Sequence, residues 1–235
     1  MIPKVIHYCW FGRGEKPALA LKCIESWRRF LPDYEIKEWN EDNFDVNIIP
    51  YTKEAYQAKK YAFVSDYARI WILHKYGGIY FDTDVEVIKP MDDILQNGAF
   101  MGCEIDGGNN QIAINPGLAI VASPNNPIYD DILNVYSNLN FYKNDGSINL
   151  YAIVKITTDI LKNYGLKDIA GLQHISDITI YPAEYFNPMD SLTGKLICTQ
   201  NTYTIHWYMN SWSTPFSRIK NKIGRLLRRM AYSHK

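Results

Sequence analysis

Apolar positions fall into alternating strand-like and helix-like blocks over the first ninety residues. Val5 to Phe11 is a short apolar and aromatic run that ends at Gly12-Arg13-Gly14. It reads as a buried strand followed by a loop. Pro17 to Phe30 reads as a helix, Tyr34 to Trp39 as a second strand, and Asn40 to Pro50 as a loop. Lys53 to Tyr76 has helical character and stops at Gly77-Gly78, a strong C-terminal signal. Ile79 to Val87 is β-rich and ends before Pro90. Strand, helix, strand, helix, strand in succession implies an α/β fold with a mixed, mostly parallel sheet. Ligands in such sheets sit at the carboxyl ends of strands, so residues just past those ends are the first candidates for chemistry. Phe100 to Tyr181 mixes short strands and helices without a clear order, and Ser217 to Met230 is a further helix set off by Pro215.

Composition narrows the class. The 235 residues are 47% apolar, enough to bury a core and too apolar for a disordered chain. The net charge of zero hides an asymmetry: Arg218 to Lys235 holds seven basic residues and no acidic one, which leaves −7 on the rest. The chain therefore divides into a body, 1–214, and a basic tail, 215–235. In the tail Phe216, Ile219, Ile223, Leu226, Leu227 and Met230 recur at helical steps, with Arg218, Lys222, Arg225, Arg228 and Arg229 opposite. Two readings stand side by side: a helix docked on the body, or a helix over 216–230 lying on an anionic membrane surface. The acidic body argues against nucleic acid as a partner. Cys9, Cys23, Cys103 and Cys198 form no paired motif and read as reduced thiols. No stretch suits a signal peptide or a membrane span, so the expectation is a cytoplasmic protein, peripheral on the inner face of the plasma membrane if the tail binds lipid.

The chemistry concentrates in Ser65-Asp66-Tyr67-Ala68-Arg69 and in Gly77-Gly78-Ile79-Tyr80-Phe81-Asp82-Thr83-Asp84. Asp82 and Asp84 stand two apart at the end of an apolar strand, so their side chains are expected to face the same way. Two carboxylates on one side are costly unless a cation or water lies between them. Mn²⁺ or Mg²⁺ takes such oxygen ligands, and a diphosphate supplies more. Asp66 and Arg69, three apart on a helix, read equally as an ion pair that holds the helix to the sheet and as a ligand-binding pair.

These blocks resemble the sugar-binding region of glycosyltransferase family 32, which includes yeast Golgi mannosyltransferases and bacterial capsule and polysaccharide enzymes. The catalytic domains of clostridial glucosylating toxins share a similar block. Ile2-Pro3-Lys4-Val5-Ile6-His7-Tyr8-Cys9-Trp10-Phe11-Gly12 is also typical of the bacterial members, and His206-Trp207-Tyr208-Met209-Asn210-Ser211-Trp212 resembles their closing element. The resemblance implies a GT-A type, Rossmann-like fold that binds a nucleotide sugar with a divalent metal and transfers a hexose with retention at the anomeric carbon. By position it implies that Trp10 stacks on the nucleobase, with a core Trp as the alternative. Asp66, Arg69 and Tyr80 would surround the donor sugar and phosphates, and Asp82 would contact ribose or sugar. Asp84 would bind the metal, with Asp82 and His206 as further ligands. Trp212 would donate its indole N–H to the diphosphate, and Asn115, in the Asn115-Pro116-Gly117 turn, would reach the donor sugar.

The expected donor is a UDP-sugar, with GDP-mannose as the rival, and the expected acceptor is a polysaccharide or lipid-linked glycan. A toxin-like transfer to protein is a third variant. A sugar-1-phosphate nucleotidyltransferase would need a richer phosphate loop than Gly12-Arg13-Gly14. A non-catalytic sugar-binding homologue is countered by intact Asp66, Arg69, Asp82 and Asp84. No carboxylate nucleophile stands out, and the residues leave double displacement and same-face attack both open; the family resemblance favours the latter.

Overall fold

The computed structural model describes residues 2–107, 110–190 and 194–209. The helix expected over 217–230, the whole 215–235 tail and Trp212 lie outside the described residues. The described chain runs β1 (Val5–Cys9), α1 (Ala18–Phe30), β2 (Glu35–Trp39), α2 (Pro50–Gln57), α3 (Tyr61–Tyr76), β3 (Gly78–Tyr80), β4 (Val85–Val87) and α4 (Asp92–Leu95). It continues through β5 (Phe100–Asp106), β6 (Ile112–Ile114), β7 (Ile120–Ala122), α5 (Pro127–Ser137), α6 (Ile153–Asn163), β8 (Gln173–Ile175), β9 (Ile178–Tyr181), α7 (Ala183–Phe186) and β10 (Thr204–His206).

The central sheet has the order β2-β1-β3-β7-β5-β9-β8, with β6 paired to β5. Strands β2, β1, β3, β5 and β9 run one way, while β7 and β8 run the other. The sheet is therefore mixed and mostly parallel, with helices on both faces. Side chains alternate between two cores, as the pleat requires. Ile6, Tyr8, Ile79, Phe81, Phe100 and Val121 point to the side of α1 and α7. Cys9, Tyr80, Met101, Ile120 and Ala122 point to the side of α2, α3, α5 and α6. Trp27 of α1 is fully buried, and its indole N–H donates to the Val85 carbonyl at 2.7 Å.

Two expected elements divide. The helix over Lys53–Tyr76 is two helices, because α2 closes in a Schellman turn: the Lys59 N–H reaches Tyr56 O at 2.9 Å and the Lys60 N–H reaches Ala55 O at 2.8 Å. Lys59 takes the left-handed conformation there, φ 56°, a role usually left to Gly or Asn. The strand over Ile79–Val87 is also two pieces. After Tyr80 the chain leaves the large sheet, turns through Asp82–Val85 with a 3.0 Å bond from Val85 N to Asp82 O, and enters a separate two-stranded sheet of β4 and β10. Asp82 and Asp84 thus lie on a turn rather than on one strand face, a correction to their expected placement. The stop at Gly77-Gly78 stands as expected. Both residues have positive φ, and a Cβ on Gly78 would sit 2.6 Å from Val5 O of the neighbouring strand.

His7, at the centre of β1, is 2% exposed between this turn and β2. Its Nε2 lies 3.0 Å from Gly77 O, and its Nδ1 accepts the Trp39 indole N–H at 3.1 Å. Only the neutral ring with its proton on Nε2 satisfies both contacts. Burial pushes its pKa down to about 4 from 6.5. The unfolded chain therefore binds the extra proton first, and stability falls as pH drops through that window. Between pH 7 and pH 5 this one side chain should remove about 2 kcal/mol of folding stability. Histidine NMR across that range should show the His7 ring neutral while the protein stays folded. A His7 resonance titrating near 6.5 in folded protein would contradict this placement.

Candidate active site

The carboxyl ends of β1 and β3 lie side by side, with the C-terminus of β10 brought up by the small sheet. His206 pairs in register with Val85, the residue after Asp84. Asp84 then ties down the incoming segment. Its Oδ1 lies 3.1 Å from His206 Nε2, its Oδ2 accepts the Met209 N–H at 2.7 Å, and its carbonyl accepts the Trp207 N–H at 2.9 Å. Asp82, Asp84 and His206 offer ligand atoms that all lie within 4.8 Å of one another.

Behind this cluster stands Arg69, whose side chain is 5% exposed. Its Nη2 reaches Asp66 Oδ1 at 3.2 Å and Asp82 Oδ1 at 2.9 Å, and its Nε donates to Ser65 O at 3.3 Å. The guanidinium lies 5.1 Å from the centre of the Tyr80 ring. Both sequence readings of the Asp66–Arg69 pair are therefore present: the intrahelical ion pair forms, and the same nitrogen reaches across to the strand end. Tyr80 is 1% exposed and meets the site through Arg69.

Burial raises the pKa of Asp66 to about 7, with Arg69 opposing and Asp82 reinforcing the rise. Burial also raises Asp82, again against the pull of Arg69 and with added repulsion from Asp84. Asp84 goes the other way: burial opposes its charge, but His206 and the Met209 N–H hold it below the ordinary range. His206 is raised, because Asp84, Asp82 and Glu104 outweigh its own desolvation. Two carboxylates and an imidazole thus converge at this spot. That donor set suits a hard to borderline divalent cation such as Mn²⁺ or Mg²⁺. His206 Nδ1 is buried without a partner among the described residues.

The Asn115–Gly117 turn packs directly against the acids. Asn115 Oδ1 accepts the Gly117 N–H at 2.8 Å, and Gly117 O accepts the Asp82 N–H at 3.2 Å. A Cβ on Gly117 would stand 2.1 Å from Asp82 Oδ2 and 3.0 Å from Arg69 Nη1, so only glycine leaves room for the pair. Asn115 therefore lies beside the acids, and Gly117 and Glu104 are neighbours that the sequence did not single out. Trp10 follows β1. It is half-buried, its indole N–H donates to Gly14 O at 2.7 Å, and Lys16 Nζ lies 5.8 Å from its ring centre.

Residues 17–101 match the family described as the glycosyltransferase sugar-binding region containing DXD motif. An uncharacterized glycosyltransferase of Acanthamoeba polyphaga mimivirus is 28% identical over 224 residues, covering 91% of this chain and 84% of the viral protein. Inositol phosphoceramide mannosyltransferase 3 of Schizosaccharomyces pombe is 33% identical over 104 residues, 43% of this chain and 29% of the yeast protein. Among solved structures, the PaToxG glycosyltransferase aligns over 69% of both chains with a TM-score of 0.54 and 20% identity. Residues 17–101 are thus similar to the sugar-binding region of glycosyltransferases, a stretch that here includes Asp82-Thr83-Asp84, and the fold is of the GT-A type, α/β.

Proposed function

We propose that the protein is a metal-dependent, retaining glycosyltransferase that moves a hexose from a UDP-sugar to a polysaccharide or lipid-linked glycan. The convergence of Asp82, Asp84 and His206 in front of the buried Arg69 carries this reading. In it the three residues hold Mn²⁺ or Mg²⁺, which neutralises charge growing on the departing diphosphate. Arg69 keeps Asp82 in place and presents positive charge to the donor phosphates. Asp66 accepts a hydrogen bond from a donor-sugar hydroxyl, and Asn115 lines the same side. Trp212, by its place in the closing sequence element, donates to the diphosphate. Trp10, beyond β1, offers a ring face to the base, since its N–H is already engaged. Retention follows most simply if the acceptor oxygen bonds to the anomeric carbon on the face the diphosphate leaves, its proton passing to a leaving-group oxygen.

The likeness to a mannosyltransferase favours GDP-mannose as the second donor to test. A tail whose basic and apolar residues segregate at helical steps suits a lipid-linked acceptor at an anionic membrane surface. No helix of the described residues is long and apolar enough to cross a membrane. The decisive experiment is hydrolysis of UDP-hexoses and GDP-mannose with Mn²⁺, Mg²⁺ or EDTA, reading the anomer released. Metal-dependent release of the α-anomer from one donor supports the reading, and full activity in EDTA overturns it.

Two variants test its parts. Asp84→Asn keeps an oxygen for the Met209 N–H but removes the charge. Turnover of the folded variant should fall by about a thousandfold, or roughly 4 kcal/mol of transition-state stabilisation, alongside a lower melting temperature from loss of the buried Asp84–His206 ion pair. Normal turnover would exclude Asp84 as a metal ligand. Trp10→Ala should weaken the free nucleoside diphosphate and the nucleotide sugar alike, by roughly 1–3 kcal/mol, with little change in kcat. Unchanged nucleotide affinity would leave Trp10 a packing residue.

A further inference from the structure

Glu104 is a carboxylate beside this site that neither the motif nor the metal cluster uses. It sits on β5 at a β-bulge: Cys103 pairs with Ile114 and Ile105 with Ala113, so Glu104 is the extra residue on its strand. Bulges re-aim a side chain out of the regular pleat and are common next to active sites. Here the side chain lands between the two flanks of the cluster. Its Oε2 accepts from Asn115 Nδ2 at 3.3 Å, and its Oε1 accepts from the Tyr208 hydroxyl at 3.2 Å. Tyr208 in turn lies against the His206 ring, 4.2 Å between centres, and takes a left-handed backbone, φ 49°. Both donors to Glu104 are neutral, and no Lys or Arg pairs with it among the described residues. An ionised carboxylate has about four acceptor positions, so these two bonds leave capacity for further donors. Around it, Asn187 donates to the Glu104 carbonyl at 3.4 Å while its own Oδ1 is buried without a partner among the described residues.

The strand order says what that capacity faces. Across the sheet, β1 is followed by Trp10, β3 leads into Asp82 and Asp84, and β7 and β5 come next. On the reading proposed above, the base lies over β1 and the diphosphate over the acids after β3. The sugar, bonded to the distal phosphate, then extends over β7 toward β5. A carboxylate without a Lys or Arg partner there is a poor neighbour for phosphate but matches a neutral polyol, whose hydroxyls are donors. We propose that Glu104 is a donor-sugar-binding residue that accepts a hydrogen bond from a hydroxyl of the transferred hexose. This inference rests on the nucleotide-sugar reading of the site.

Calorimetry in Mn²⁺ with UDP, UDP-glucose, GDP and GDP-mannose separates the two. A wild-type protein that binds none of these refutes the nucleotide-sugar reading itself. Given binding, Glu104→Gln and Glu104→Ala should leave affinity for the free nucleotide within about twofold, since on this assignment Glu104 bonds the sugar and neither base nor phosphates. Affinity for the matching nucleotide sugar should fall by about tenfold in Glu104→Ala, the loss of one hydrogen bond to a charged group, and by less in Glu104→Gln. A merely structural Glu104, holding Asn115 and Tyr208, would lower the melting temperature or weaken nucleotide and nucleotide sugar together. Either that pattern, or unchanged affinity for the nucleotide sugar, overturns the assignment. A loss confined to transfer, with donor affinity and donor hydrolysis intact, would place Glu104 on the acceptor and also overturn it.

Discussion

The site depends on one buried guanidinium. Arg69 is nearly inaccessible and binds Asp66 on its own helix and Asp82 on the turn after β3 through a single nitrogen. Burying these charges is costly, and their mutual attraction offsets the cost only while all three stay in place. Removing one partner of such a group costs about 3–5 kcal/mol, because the remaining charge is left uncompensated. The helix delivers Arg69, and the Gly77-Gly78 turn brings the chain straight back beside it, so donor and acceptor of the ion pair are close in sequence and fixed by local geometry. Tyr80 below and Gly117 above leave the guanidinium and Asp82 little freedom to move.

The second constraint is of long range. Asp84 holds His206, Trp207 and Met209, residues more than a hundred positions later, through its carboxylate and its carbonyl. The β4–β10 ladder aligns the two segments and thereby brings residues 206–209 beside Asp82 and Asp84. Arg69 thus orders the acids from behind, and Asp84 orders the imidazole from the front. The two carboxylates and the imidazole would be the ligands of a divalent cation on the reading proposed above.

Much of this was legible in the sequence because it is local. The helix stop at Gly77-Gly78, the apolar run into Asp82 and the three-residue spacing of Asp66 and Arg69 all depend on near neighbours. The convergence of Asp82 and Asp84 was expected for the wrong reason: a turn, and not the pleat, brings them together. The break at Lys59 carried no signal, since Lys59-Lys60 looks like any exposed helix segment and only the Schellman turn reveals it. Glu104 was invisible because its direction is set by a bulge in β5, and its partners Asn115 and Tyr208 come from two distant segments. Gly117 looked like an ordinary turn glycine, and its need for space appears only with Asp82 beside it. His206 and Asn115 were placed by resemblance, and the folded chain brings both next to the aspartates.

The central claim is that Arg69 shapes the metal and donor site and does not merely fasten a helix. Arg69→Lys keeps a positive charge in the pocket, but a point charge cannot reproduce the planar fork that meets Asp66, Asp82 and Ser65 together. The direct measurement is the gain in UDP affinity on adding Mn²⁺, compared between wild type and this variant by calorimetry. The wild type should gain about tenfold or more, and the folded variant should lose most of that gain. An Arg69→Lys protein that keeps the full Mn²⁺-dependent gain would contradict the account and leave Arg69 a structural ion pair.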